Sequence, residues 1–332
     1  MIEKKQEKFS KAALYRKAKK LRTQLLIEQH FHGCFGIDFN KANVDEILYL
    51  SKEITKYGIG GIFPTLATDN IINIKNQIEV IKEASSKQTS DMAKILGIHL
   101  EGIFLNTEKR GIHNPKYFML PTIENYQKIE DPFIKIQTLA PEFDDGVIKY
   151  LWNKGVRVQA GHCISGHLTG CRGVTHLFNA MSGTSHRGKS TALTALVTDS
   201  LYAEVIADGI HLSEDALKLT FKAKPLDKIL LISDSLPITE SNLKKMEFAG
   251  SMIYYDGEKA TSKAGTLAGS TTLLPAIIKR LAHSKILSTD PAEINAKLTH
   301  LISNPYKYHN IELDGYVEWD DDWNITNVHI GK

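Results

Sequence analysis

From Leu25 onward the chain alternates short apolar, often β-branched runs with longer stretches in which apolar residues recur every three or four positions. That alternation is the mark of repeated strand–helix units. Eight runs predict strands, at 25–32 (LLIEQHFH), 59–66, 94–101, 135–142, 157–162, 173–179, 202–208 and 228–234. Of the helices between them, the first carries Val44, Ile47, Leu48 and Ile54 on one face and the second Ile71, Ile74, Ile78 and Ile81, with others near 144–154, 190–200 and 213–223. Eight units in about 210 residues predict an α/β fold, a (β/α)8 TIM-like barrel. The competing doubly wound sheet normally has a Gly-rich phosphate loop after its first strand, and neither GxGxxG nor GxxxxGKS/T occurs here. Past the eighth strand, MEFAGSMIYYDGEKA predicts a hairpin with Asp256-Gly257 as its turn pair. Helices over 271–283 and 290–303 follow, then two or three short strands, too few to stand alone. The expected organisation is a basic segment 1–24, a barrel domain 25–303, and a small, reduced β segment 304–332 packed on the barrel.

Polar residues fall where a barrel would use them. His30 and His32, Glu101, Glu142, His162, His176, Asp208 and Asp234 lie at or just past the C-terminal ends of predicted strands, and in barrel enzymes those ends converge on one mouth. His30 and His32 are two apart on a strand, so both imidazoles face the same side and can reach one ion. Each residue singly is accounted for by an ordinary strand-end hydrogen bond; their joint placement is not. Glu with two His is a common catalytic zinc set that leaves a position open for water, and Asp234, closing ILLIS, is a carboxylate able to take that water's proton.

Composition narrows the partners. The chain has 332 residues, 42% hydrophobic and 24% charged, which excludes disordered and fibrous classes. Lys and Arg total 41 against 38 Asp and Glu, a net charge of +3 that calls for no nucleic-acid partner. Residues 1–22 hold nine basic and two acidic residues, read as a solvated helix or tail. No run approaches the roughly 20 apolar residues of a membrane span, and the N-terminus lacks the apolar core of a signal peptide. Cys34, Cys163 and Cys171 form no CxxC pair and no disulfide framework, so a cytoplasmic protein without a membrane partner is expected.

The stretch GIHLEGIFLNTEKRGIHNPKYF (97–118), followed by LAPE, AGH, THLFNAM, ADGIHL and the Asp of the eighth strand, resembles the N-acetylglucosamine-6-phosphate deacetylases of the amidohydrolase superfamily. The likeness runs from about residue 30 to 275; HLEG followed by HNP, with THLFNAM later, is a specific combination. It implies a barrel of the metal-dependent hydrolase type, acting on an amino-sugar phosphate to release acetate and glucosamine-6-phosphate by metal-activated water. Glu101, His162 and His176 match the family's main metal ligands. His30 and His32 match a pair that helps hold a second ion in some members, so one or two divalent ions per subunit (Zn, Fe or Mn) are implied. Asp234 matches the catalytic base and acid. His113 and His211 match residues contacting the substrate and its acetyl group, and Asn179 and Ala180 match phosphate contacts. Arg187 sits where the family reaches the phosphate of a neighbouring subunit, which implies a homodimer.

The chain departs from the family in having only about 24 residues before its first barrel strand, so half of the family's β-sandwich is expected to be missing and the C-terminal part to be reduced or replaced. Ile103 stands where a Pro is usual, Cys163 where a small hydroxyl residue often follows the metal His, and Ser235-Leu236-Pro237 replaces a more Ala/Gly-rich run. Two other functions stay in play: deacylation of a different amino-sugar phosphate or related cyclic amide, and a degenerate paralogue that binds sugar phosphate without turnover.

Overall fold

A computed structural model describes residues 21–331; residues 1–20, most of the basic segment, and Lys332 lie outside the described residues. Eight parallel strands follow one another in a single curled sheet: Leu26–Phe31, Ile59–Ala67, Ile98–Glu101, Ile134–Leu139, Arg157–Ala160, Gly173–Val174, Tyr202–Val205 and Ile229–Leu231. Their spatial order is their chain order, as a (β/α)8 barrel requires. A two-residue strand, Lys94–Ile95, adds to the second. The first and eighth strands meet only at the mouth, where Asp234 N–H donates to His30 O (3.0 Å) and His32 N–H to Ser235 O (2.9 Å). Deeper in, a side chain spans that seam: Glu28, fully buried, accepts from the backbone N–H of Ser233 (3.3 Å) and Leu274 (3.2 Å).

The helices form where period and caps agree. Val44–Glu53 begins with an Asn43–Glu46 capping box, Ile71–Lys87 with Asn70 accepting from Asn73 N–H, and Glu214–Ala223 with Ser213 accepting from Ala216 N–H. Ile47, Leu50, Ile74, Ile78 and Ile81 are all buried against the sheet. The last helix runs Pro291–His309, six residues beyond the predicted stop at 303. Asn304-Pro305 reads as a helix end because proline lacks a donor and crowds the preceding turn. Packing overrides it: Asn304 Nδ2 donates to Leu226 O and Ile229 O (both 2.8 Å), and Tyr306 and Tyr308 are buried at the base of the barrel.

Two small antiparallel sheets complete the fold. Lys245–Phe248, Ser251–Tyr255, Ala260–Ser262 and Leu267–Gly269 form one beside the mouth. The chain turns at Asp256-Gly257 as predicted, and turns again at Ala249-Gly250, where Ala249 takes a positive φ of 49°. The other joins Gly315–Trp319 and Ile325–Ile330 to Leu21–Thr23, so the end of the basic segment is a paired strand rather than a tail. Trp319, fully buried, donates from Nε1 to Thr23 Oγ1 at 2.9 Å. Among the described residues no helix is long and apolar enough to cross a membrane.

Gly33 follows directly on His32 with φ +146°, and a Cβ there would lie 1.9 Å from Ile37 O. Gly33→Ala is therefore expected to lose about 1–3 kcal/mol of stability in denaturant unfolding; an unchanged midpoint would show that this turn carries no strain.

Candidate metal centre

Strands predicted to run through His162, Asn179, Asp208 and Asp234 stop earlier, at Ala160, Val174, Val205 and Leu231. The sixth strand is the extreme case, two residues where seven were expected. The reason is backbone conformation: His162 (φ 48°), His176 (31°), Phe178 (75°), Ala180 (47°) and Asp234 (54°) all lie in the left-handed region, which non-glycine residues adopt at a cost of about 1–3 kcal/mol each. The chain leaves each strand in a sharp turn that carries the polar side chain inward over the mouth.

Six side chains from five strand ends meet there. Glu101 Oε1 lies 3.1 Å from His162 Nε2 and 2.9 Å from His176 Nε2. Its other oxygen, Oε2, lies 3.3 Å from His30 Nε2 and 3.0 Å from His32 Nε2. Asp234 Oδ1 is 3.4 Å from His30 Nε2 and 3.3 Å from His32 Nε2. All six side chains are at least nine-tenths buried except that of Asp234, which is 11% exposed.

The far nitrogens decide the tautomers. His162 Nδ1 faces Lys109 O (2.8 Å), His176 Nδ1 faces Asn179 O (3.1 Å) and His32 Nδ1 faces Thr65 O (3.2 Å). A carbonyl only accepts, so each Nδ1 carries the proton, as does His30 Nδ1 against Glu204 Oε2 at 3.0 Å. Four imidazoles then aim their Nε2 atoms at carboxylate oxygens, and His162 and His176 set theirs 3.1 Å apart. Lone pair against lone pair is repulsive unless a proton or a cation lies between. His30 Nε2 shows the same deficit: it is buried with no hydrogen-bond partner of acceptable geometry despite its two carboxylate neighbours. Such a donor set with its outer support suits a divalent metal ion. His30, His32, Glu101 and Asp234 bring one ligand atom each within 4.8 Å of one another.

The electrostatics agree. Burial pushes the His30 and His32 imidazoles down, but the carboxylates of Glu101 and Asp234 outweigh it, holding His30 well above its ordinary range and His32 at about 9. Glu101, which burial alone would raise, is held well below the usual carboxylate range by the surrounding imidazoles, and Asp234 is lowered by His30 and His32. His162, desolvated, falls to about 4. The two carboxylates thus draw positive charge into a largely buried site.

His113 differs. Its Nδ1 lies 2.9 Å from Thr68 Oγ1 and accepts from Thr68 N–H (3.4 Å), while Thr68 Oγ1 itself accepts from Ile103 N–H (3.2 Å). The threonine proton therefore points to Nδ1, and His113 presents Nε2–H toward the cavity, 3.6 Å from Glu101 Oε2. In this tautomer it is a donor, although its ring also brings a ligand atom within 4.8 Å of those of Glu101 and His162. His211 is anchored by Nδ1 to Asp208 Oδ2 (2.7 Å), whose same oxygen accepts from Ser270 Oγ (3.0 Å). With His113, His211, Asn179, Ala180 and Phe248 the cluster opens into a cavity of about 320 Å³, walled on one side by Leu267–Gly269 of the small sheet. Arg187 is exposed, its guanidinium Nε donating to His186 Nε2 (3.1 Å), and does not line this cavity. Glu142 holds the backbone N–H of Ile164 and the Asn106 amide, away from the centre.

Sequence reading missed the buried supports Thr65, Thr68 and Glu204. Glu204 alone left a signal, a carboxylate in the middle of the apolar run YAEVIAD, costly to bury unpaired.

Fold and site together define a (β/α)8 barrel with a cluster of histidines and carboxylates at its mouth that could hold a metal ion. In sequence the chain is similar to N-acetylglucosamine-6-phosphate deacetylases. It is 33% identical to that of Bacillus subtilis (strain 168) over 260 residues, 74% of this chain and 65% of the relative. With the Haemophilus influenzae enzyme it shares 27% identity over 319 residues, 92% of this chain and 80% of the relative. The chain thus spans just under two thirds of the length of the first of these. No family model matches it. Among solved structures, the deacetylase of Thermotoga maritima superposes with a TM-score of 0.83 at 22% identity, over 94% of this chain and 88% of that one. A substituted Mycobacterium smegmatis deacetylase in complex with N-acetyl-D-glucosamine-6-phosphate gives 0.83 at 20% identity, over 93% and 85%. At these identities the structural likeness establishes the fold.

A metal must displace the protons that His30 and His32 hold in the metal-free protein. Their pKa is raised by the folded site, so those protons are fully held below the ordinary value of 6.5 and are lost as pH rises through about 9 for His32. Apparent zinc affinity, measured by chelator competition, should climb across that window with net proton release, and a flat profile would contradict the assigned charge states.

Proposed function

We propose that the chain is a metal-dependent amide hydrolase that removes acetate from N-acetylglucosamine-6-phosphate. The observation that carries this reading is the convergence of four Nε2 atoms on the two oxygens of Glu101, beside a partly exposed Asp234 at the floor of an open cavity. Glu101, His162 and His176 would hold one divalent cation, and His30 and His32 with Asp234 offer a second position. Nitrogen and oxygen donors of this kind suit Zn, Fe or Mn. Such a cation supplies charge that polarises an amide carbonyl and acidifies water.

The residues divide the remaining work. An amide needs an activated nucleophile, stabilisation of the developing oxyanion and an acid for its nitrogen. Asp234 accepts the proton of the attacking water as the water oxygen bonds to the acyl carbon. It returns that proton to the nitrogen as the carbon–nitrogen bond breaks, so acetate and free amine leave. His113 donates Nε2–H toward the acyl oxygen. His211, fixed by Asp208, orients the acetamido group or a ring hydroxyl. Asn179 and Ala180 line the cavity where the phosphate would sit, the Asn179 amide exchanging its bonds to His176 O and Leu177 O for the phosphate, with the contacts completed by Arg187 from a neighbouring subunit in a homodimer. Its exposed loop, clear of the cavity lining, supports that reading of Arg187. Three free, buried thiols suit the cytoplasm.

Purified protein supplied with divalent metal should release acetate from N-acetylglucosamine-6-phosphate and far more slowly from the unphosphorylated sugar. Folded, metal-loaded protein that releases none across Zn, Fe, Mn and Co would refute the assignment. Asp234→Asn should keep the fold and lower kcat by about 10²–10⁴-fold, the usual worth of general acid–base catalysis; an undiminished rate would remove Asp234 from its role.

A further inference from the structure

Glu204 occupies the middle of the strand Tyr202–Val205 with no exposed surface, behind the cluster rather than in it. Its hydrogen-bonding neighbours are donors. Gln29 Nε2 donates to Oε1 at 2.6 Å, His30 Nδ1 to Oε2 at 3.0 Å, and the backbone N–H of His176 to Oε2 at 3.4 Å. The orientation of Gln29 is set in turn, because its Oε1 accepts from His309 Nε2 at 3.1 Å. A group surrounded by donors alone is an ionised carboxylate, and burial of a charge is tolerated only where such donors fill its lone pairs. His99, 4.6 Å from His30 between ring centroids, is committed elsewhere: Nδ1 to Gln29 O (3.0 Å) and Nε2 to Thr138 Oγ1 (2.8 Å). With His30 Nδ1 and both His99 nitrogens already hydrogen-bonded, the His30–His99–Glu204 group, though close enough to hold an ion, serves here as a hydrogen-bonded support.

The two residues that Glu204 Oε2 touches stand on opposite sides of Glu101: His30 beside Oε2 and His176 beside Oε1. We infer that Glu204 is a positioning residue for both cation positions, fixing the ring of His30 through its Nδ1–H and the left-handed turn of His176 through its backbone N–H. One buried carboxylate thereby sets the spacing between the two halves of the centre and increases the basicity of the His30 nitrogen that faces the metal. The inference rests on the reading of this cluster as a metal centre and is independent of the substrate.

Glu204→Gln keeps the size of the side chain while removing its charge and one acceptor; Glu204→Asp keeps the charge but withdraws it from His30. Zinc affinity by chelator competition and bound metal by elemental analysis are compared with wild type, with circular dichroism and thermal unfolding of the metal-free proteins as the check on folding. Both variants are expected to fold and to bind zinc about 10–100-fold more weakly, the usual effect of losing an outer-sphere partner. A folded variant of either kind with wild-type affinity would overturn the inference, as would loss of affinity matched by equal loss of metal-free stability. If wild type binds metal but releases no acetate, the proposed function fails while this comparison still stands. If wild type binds no divalent ion, both fall.

Discussion

Glu101 offers its two oxygens to two different sets of imidazoles, and most of what is distinctive in this molecule serves that division. A carboxylate at 2% exposure is stable only when its lone pairs meet donors or cations. Here the surrounding nitrogens are held as acceptors by carbonyls and a carboxylate behind them. The cluster is satisfied by added positive charge, either as protons on His30 and His32 or as metal. Those two states compete for the same lone pairs, which ties metal occupancy to pH.

That focus is held by the barrel seam and by strained strand ends. The backbone bonds that close the first strand against the eighth belong to His30, His32, Asp234 and Ser235 themselves, so barrel closure and assembly of this side of the site are the same event. On the far side, His162 and His176 reach inward because their backbones adopt left-handed turns. The packing of the parallel strands, with Leu100, Val158, Val174 and Ala203 fully buried, supplies the stability against which such strain is stored. Glu204, one strand from the seam, ties the two sides together beneath the ligands.

The barrel was legible because its strands are buried on both faces and its helices keep a clean apolar stripe. The residues that cluster at the mouth were legible because polar side chains closing apolar runs converge at the C-terminal rim of a barrel. What could not be read was local geometry. Runs such as GVTHLFN look extended by composition, whereas His176 and Phe178 turn left-handed under tertiary constraint that no propensity encodes. Asn304-Pro305 looks like a helix end until Leu226 and Ile229 supply acceptors for the Asn304 amide. Tautomers depend on partners far away in sequence: Thr68 makes His113 a donor while Lys109 makes His162 an acceptor, a distinction invisible in HNP or AGH. Residues 1–20 lie outside the described residues, so the reading of the basic segment is untouched beyond Leu21–Thr23.

Anomalous diffraction from zinc-loaded crystals tests the central claim most directly. The account predicts a peak bonded to Glu101, His162 Nε2 and His176 Nε2 at about 2.0–2.2 Å, with room for a second on the His30 and His32 side of the same carboxylate. Zinc bound elsewhere on the chain, with these side chains left bonded only to one another, would contradict it.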